Sequence, residues 1–189
     1  MAQIKLNATL GLEGTLPAIS GANLTTLNAS NISSGTLNSA RFSGGKVLQV
    51  VSAQSTSNTL VETTSFVETQ PSINITPSAT SSKIAIFYES AMGYQNTNNE
   101  NFYAFYSLQR TVGGTATNLG NGTSGISGVY YNGVSYNDIW GRGGFPLLDS
   151  PNTTSQCTYV PIIRVSSTNA DYYTKVEGQH NIIAMEIGA

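Results

Sequence analysis

Between Ala22 and Lys46 the chain reads ANLTTLNASNISSGTLNSARFSGGK, a run of small polar residues interrupted by single apolar ones. The apolar residues are Leu24, Leu27, Ile32, Leu37 and Phe42, and the last four recur at every fifth position. That period fits neither the i, i+3, i+4, i+7 stripe of an amphipathic helix nor the alternation of a half-buried strand. Asn, Ser, Gly and Thr also favour turns, caps and bulges over helix interiors. A segment of this kind cannot bury its sparse apolar residues in itself, whereas three copies wrapped about an axis can. The tract therefore reads as a self-associating stem, with Leu27, Ile32, Leu37 and Phe42 near the axis or between chains. Closed cyclic symmetry is the economical way to satisfy it.

After Gly44-Gly45 the pattern changes to short β-type runs separated by turn residues. Expected strands are Lys46–Gln54, Thr59–Glu68, Ser72–Thr76, Lys83–Met92, Phe102–Val112, Ile126–Tyr131, Ser135–Trp140, Thr158–Ser166, Tyr172–Glu177 and Asn181–Ile187. KIAIFYESAM is apolar on both faces except for Glu89, which predicts a central strand covered on both sides. Gly113-Gly114 and Asn132-Gly133 are two-residue hairpin signals. Many short strands with turns every eight to twelve residues or so predict a sandwich or jelly roll. No amphipathic helix is expected. The division is residues 1–45 as an extended arm and self-associating stem, and residues 46–189 as an antiparallel β-sandwich domain.

Composition narrows the partners. Charged residues are 10% of the chain, against about 25% in ordinary soluble domains. Ten Tyr, six Phe and one Trp supply core-forming surface, so the polar bias is not that of a disordered chain. Eight Lys and Arg are scattered, the net charge is −2 and the pI is near 5.2, which argues against nucleic-acid binding. No run approaches the ~20 apolar residues of a membrane span, so no membrane insertion is expected. Residues 1–14 hold no apolar run of signal-peptide length, and Cys157 has no second cysteine to pair with. Synthesis in a reducing cytosol is the expectation.

No catalytic, cofactor-binding or metal-ligating set is assigned. Gly120-Asn121-Gly122-Thr123-Ser124-Gly125 satisfies the G-x-G-x-x-G pattern of dinucleotide sites. That chemistry needs a following helix N-terminus, and here GVYYNGVSYND reads as strand and turn. His180 is the single histidine, expected at a turn or interface, and one histidine serves neither a zinc site nor most acid–base schemes. Asp138, Asp149 and Asp171 lack calcium-loop spacing. Two distant carboxylates can still meet as in glycosidases, about 5–10 Å apart, so a glycan-degrading enzyme stays as an outsider. Cys157 reads as a small buried residue.

The cluster Tyr130, Tyr131, Tyr136, Trp140 and Phe145 lies among Asn132, Asn137, Asp138 and Arg142, with Gly141–Gly144 (GRGG) as a loop to present it. Its members are expected to pack in the core or at a trimer interface. The competing reading makes Tyr130, Tyr131, Tyr136 and Trp140 contacts for a host surface glycan. Tyr94, Phe102, Tyr103, Phe105 and Tyr106 are expected to pack.

The run LNASNISSGTLNSARF resembles the short linker that precedes terminal domains in bacteriophage tail fibres and related virion fibres. KVLQVVSAQ, SINITPSATSSKIAIFYES, FYSLQRTVGGTATNLGNG and the terminal IIAMEIGA resemble a β-sandwich domain found in phage structural proteins, marine ones especially. The resemblance covers the chain from about Asn23 onward. It implies a non-enzymatic virion-surface protein, made in the host cytoplasm, trimeric with itself and without cofactors. Residues 1 to about 20 would anchor it to other virion proteins of capsid or tail. Two versions follow: a short tail fibre or adhesin that touches the host, or a capsid decoration, cement or head-fibre protein that stabilises the shell. The fibre linker favours the first, and the near absence of a shaft favours the second.

Overall fold

The computed structural model describes residues 45–96, 101–131, 136–168 and 172–188. The stem positions Leu27, Ile32, Leu37 and Phe42 and the Asn132-Gly133 turn lie outside them. The described residues form eleven strands and no helix: β1 (Lys46–Ser55), β2 (Thr59–Val61), β3 (Val67–Glu68), β4 (Ile73–Ile75), β5 (Lys83–Asn96), β6 (Phe102–Val112), β7 (Thr115–Asn118), β8 (Ser127–Tyr131), β9 (Tyr136–Asp149), β10 (Cys157–Val165) and β11 (Tyr172–Gly188).

Two antiparallel sheets share one core in a sandwich-like arrangement. In the first, sheet A, the order is β1-β11-β5-β9, with β2 continuing the β1 edge of β11. In the second, sheet B, the order is β3-β10-β6-β7, with β4 also on β10 and β8 also on β6. The period-2 alternation of strands sets which residues meet in the middle. Ile84, Ile86, Tyr88 and Met92 of β5 and Ile182 and Ala184 of β11 face Ala104, Tyr106 and Leu108 of β6 and Tyr159, Ile163 and Val165 of β10. Cys157 is buried at the start of β10, as its sequence setting suggests. The β6–β7 hairpin closes on Gly113 (φ 57°) and Gly114 (φ 82°), with Val112 opposite Thr115. Two successive positive φ values are what a type I′ turn requires, and glycine accepts them without strain.

Several expected boundaries move. Tyr172–Glu177 and Asn181–Ile187 belong to one strand, β11, whose pairing with β5 shifts register between Glu177 and Asn181. Gly178 takes φ 75° there, so the glycine makes a bulge and not a chain reversal. The bulge is braced by His180, which is fully buried. Its Nε2 lies 2.9 Å from the Ser57 carbonyl and its Nδ1 2.7 Å from Ser90 Oγ. A carbonyl only accepts, so Nε2 carries the proton. Gly141–Gly144 is not a loop but part of β9, which pairs with β5 without a register shift from Ile139 to Asp149. β5 is central, yet it is covered on one face only: Phe87 is 48% exposed on the other.

A buried carboxylate ties the loop after β4 to sheet A. Glu186 is 1% exposed. It accepts hydrogen bonds from Gln49 Nε2 (2.6 Å), Ser78 N (2.7 Å) and Ser78 Oγ (2.6 Å). Burial pushes its pKa up, but the hydrogen bonds from Ser78 and Gln49 outweigh that and hold it at about 2. A depressed folded-state pKa contributes stability above the ordinary value of 4.5, and that contribution is lost as pH falls through about 2. The full shift corresponds to about 3 kcal/mol at most, and the effective screening inside a protein brings it to about 1–2 kcal/mol. Urea unfolding at pH 6 and pH 2.5 should therefore show Glu186→Gln losing less stability on acidification than the parent, by about that amount. Equal losses in both proteins would mean the carboxylate is not a stabilising group.

Candidate functional site

The outward face of sheet B carries a row of aromatic side chains. On β6 the inward positions Ala104, Tyr106 and Leu108 are buried, which turns Tyr103 and Phe105 outward. Their rings lie 5.4 Å apart and 6° from parallel. Tyr130 of β8 sits opposite Tyr103 in register, with ring centroids 4.6 Å apart and 30° between planes. Tyr103 is 42% and Tyr130 47% exposed, so both rings, though stacked on each other, stay half open to solvent. Gly128 stands opposite Phe105, and a Cβ there would meet the Phe105 ring at 3.0 Å. The missing side chain lets that ring lie across β8.

The row ends on a cation. Arg164 of β10 is the register partner of Phe105, and its Cζ lies 4.6 Å from the Phe105 centroid and 5.5 Å from that of Phe66. The side chain is 9% exposed. Nη1 donates to the carbonyls of Thr64 (3.3 Å) and Val165 (3.2 Å), and Nη2 donates to that of Thr123. Nε is buried without a partner. No carboxylate among the described residues pairs with this guanidinium. The Gly120–Gly125 segment is thus a turn whose Thr123 carbonyl clamps Arg164. Asn121 shapes it by accepting from the backbone N–H groups of Thr123 (2.8 Å) and Ser124 (3.1 Å).

The aromatic cluster read from sequence divides between the two sheets. Trp140 is on the outward face of sheet A, opposite Gly93, where a Cβ would come within 2.9 Å of the indole. Lys175 Nζ lies 4.3 Å from the Trp140 ring centroid, a cation–π contact. Trp140 is 46% exposed and is not a core residue. Phe145 is in the core, 5.5 Å from Tyr88. Tyr130 and Trp140 therefore point away from each other, and the side chains of Tyr131 and Tyr136 lie outside the described residues. Tyr94 and Tyr106 do pack inside: Tyr106 Oη donates to Tyr94 Oη (2.8 Å) and lies 3.0 Å from Thr174 Oγ1. A cleft of about 300 Å³ opens beside them under β9, lined by Met92, Tyr94, Tyr106, Val129, Gly143 and Phe145.

Protein-family models and the curated proteins were searched for relatives of this chain. No match was found in either. The chemistry must be read from the residues. Among the described residues no three of His, Cys, Asp and Glu gather as metal ligands. Burial pushes the Cys157 thiol up, away from the thiolate form a nucleophile needs. Burial also raises the Tyr159 phenol, and the adjacent Asp149 carboxylate raises it further. Arg164, Phe66 and Phe105 were not picked out from sequence as partners. The available signal was the lone charge in CTYVPIIRV, an otherwise apolar strand. A cation placed there must be held by something, and here it is held by two aromatic rings and three carbonyls.

Toward the Leu148 end of β9, the outward face of sheet A is mostly apolar across the four strands of its main path. Val50, Met185, Ala85 and Leu148 line up as register partners from β1 to β9, and Ser52, Ile183, Phe87 and Pro146 form the next row. Val47 and Ile187 extend it toward the start of β1. Val47, Val50, Phe87 and Leu148 are 53%, 56%, 48% and 57% exposed.

Proposed function

We propose that this chain is a non-enzymatic structural protein of a bacteriophage particle that works by assembly and adhesion. Three copies associate, residues 1–45 anchor and intertwine them, and the β domain, a jelly-roll-like sandwich, projects as a short tail fibre or adhesin at the virion surface. The resemblance of the stem and strand motifs to virion fibres supplies the biological setting. The observation that carries the assembly half is the apolar outward face of sheet A. A single chain leaves Val47, Val50, Phe87 and Leu148 half exposed in one contiguous area. Patches of that kind mark protein–protein contacts, and an apolar sheet face packs on another sheet face.

Light scattering of the full chain at micromolar concentration should give a mass about three times the 19.9 kDa protomer. Phe87→Asp combined with Leu148→Lys should shift that mass toward the monomer with the circular dichroism spectrum unchanged, because both side chains are half exposed. A monodisperse monomer from the parent chain would sink the assembly reading. Locating a labelled chain on intact particles separates a tail fibre from a capsid decoration protein.

A further inference from the structure

We propose that the aromatic row on sheet B, formed by Tyr130, Tyr103 and Phe105 over Arg164, is a carbohydrate site for an acidic glycan. The inference deepens the adhesion half of the reading above and rests on it for the biological context only. Two independent observations carry it.

The first is shape. Tyr130 and Tyr103 stack on each other on the outward face of sheet B and both stay half exposed, while Tyr88, Tyr94, Tyr106, Phe145 and Tyr159 are turned inward. The negative face of an aromatic ring attracts the weakly positive C–H groups on one face of a pyranose. A half-exposed ring at the Tyr130 end of the row therefore takes one sugar of a chain. The positions are fixed by backbone: Tyr103 N donates to Ser166 Oγ (2.9 Å), and Ser166 N donates to the Tyr103 carbonyl (2.9 Å). A preorganised platform does not spend binding energy on ordering its own side chains.

The second is charge. Arg164 lies nine-tenths buried under the end of the row, and its cation has no carboxylate partner among the described residues. Three carbonyl acceptors solvate the guanidinium, but they do not cancel its charge. A buried charge is screened far less than an exposed one, so its field reaches past Phe105 to the half-exposed Tyr103 stacked on it. A uronic acid stacked on Tyr103 or Tyr130 places its carboxylate in that field. A neutral sugar gains only the stacking. A nucleic acid would also offer flat bases and negative charge, but the chain carries net charge −2 with its Lys and Arg scattered, and phosphate backbones call for a basic surface.

The test measures retention of the full chain on immobilised polygalacturonate and on neutral dextran, at low and at physiological salt. Retention on polygalacturonate, weakened by salt and at least tenfold stronger than on dextran, is the expected result. Tyr130→Ala should reduce it about tenfold, in keeping with the loss of one stacking ring. Gly128→Val, which would lift the Phe105 ring, should reduce it as well. Both positions are exposed, and melting temperatures of the variants are the check that the fold survives. No retention on polygalacturonate, equal retention on dextran, or unchanged retention in folded Tyr103→Ala/Tyr130→Ala would each overturn the proposal. Light scattering on the same samples keeps the two readings apart. A trimer that ignores the acidic polymer sinks only this inference, and a monomer that binds it sinks only the assembly reading.

Discussion

Replacing Asp149 by alanine is expected to lower the free energy of unfolding by about 3–5 kcal/mol. Asp149 is the last residue of β9 and belongs to sheet A, while its partners belong to sheet B. Arg110 Nη1 donates to both carboxylate oxygens at 2.8 Å, and Tyr159 Oη donates to Oδ2 at 2.6 Å. All three are largely shielded: the side chains of Arg110 and Asp149 are 18% and 9% exposed, and Tyr159 is fully buried. Removing the carboxylate strands a guanidinium and a phenol that water cannot reach freely, and stranded buried donors carry their whole desolvation penalty. Asp149→Asn should fall less far, because the amide oxygen still accepts from Tyr159. Urea unfolding measures both. A loss under about 1 kcal/mol in Asp149→Ala would show that the network is no more than a surface ion pair.

Gly144→Ala should have an effect of similar size for a different reason. Gly144 stands opposite Glu89 in the β5–β9 pairing. A Cβ built there runs into the carbonyl oxygen of Tyr88 and lies 3.0 Å from Glu89 Cα. Those are backbone atoms of the neighbouring strand, so no side chain can swing aside. The two strands must part or slip. A loss of about 3 kcal/mol or more follows, which is a fall of roughly 6–12 °C in melting temperature for a chain of this size. Gly141→Ala is the internal control. Its Cβ meets nothing within 4 Å, so its melting temperature should stay within about 2 °C of the parent. If both alanines behave alike, the close approach at Gly144 is not what governs that strand pair.

The contrast between those glycines shows where the sequence was legible. Gly113-Gly114 is read correctly because a two-residue turn states its own φ requirement. GRGG looks like a loop from composition alone, since nothing in the one-dimensional pattern reveals a neighbouring backbone at Gly144. Gly178 misleads in the same way: a glycine at a bulge and a glycine at a chain reversal have the same local signature. The strands of the core were legible because burial imposes alternation, as in Phe102–Val112 and Lys83–Met92. Their outer faces were not, because an apolar residue on a strand looks the same whether its sheet is covered by this chain, by another, or by water. Phe87 is the example: the pattern around it predicted cover, and the fold leaves it open. The aromatic row was half legible. Tyr130 is singled out by its neighbours in sequence, whereas Arg164 and Phe66 join it only through the register of β10 with β6 and the path of the chain before β3.

The place of β11 in sheet A sets an order on how the molecule can be made. β11 lies between β1 on one side and β5 on the other, and its far half also holds β2. The first strand of the described domain and the central strand of its sheet therefore have no direct contact to build on until the last strand arrives. A ribosome must deliver residues up to about Gly188 before Val51 and Ala53 of β1 can join Ile86 and Tyr88 of β5 across Ala184 and Ile182. Long-range pairings of this kind close slowly, and the waiting chain shows unpaired strand edges to its surroundings. Copies growing near one another would meet with sheet A unfinished, at the stage when exchange of strands between chains is easiest. The speed with which β11 inserts thus decides whether each copy completes itself or borrows from its neighbour.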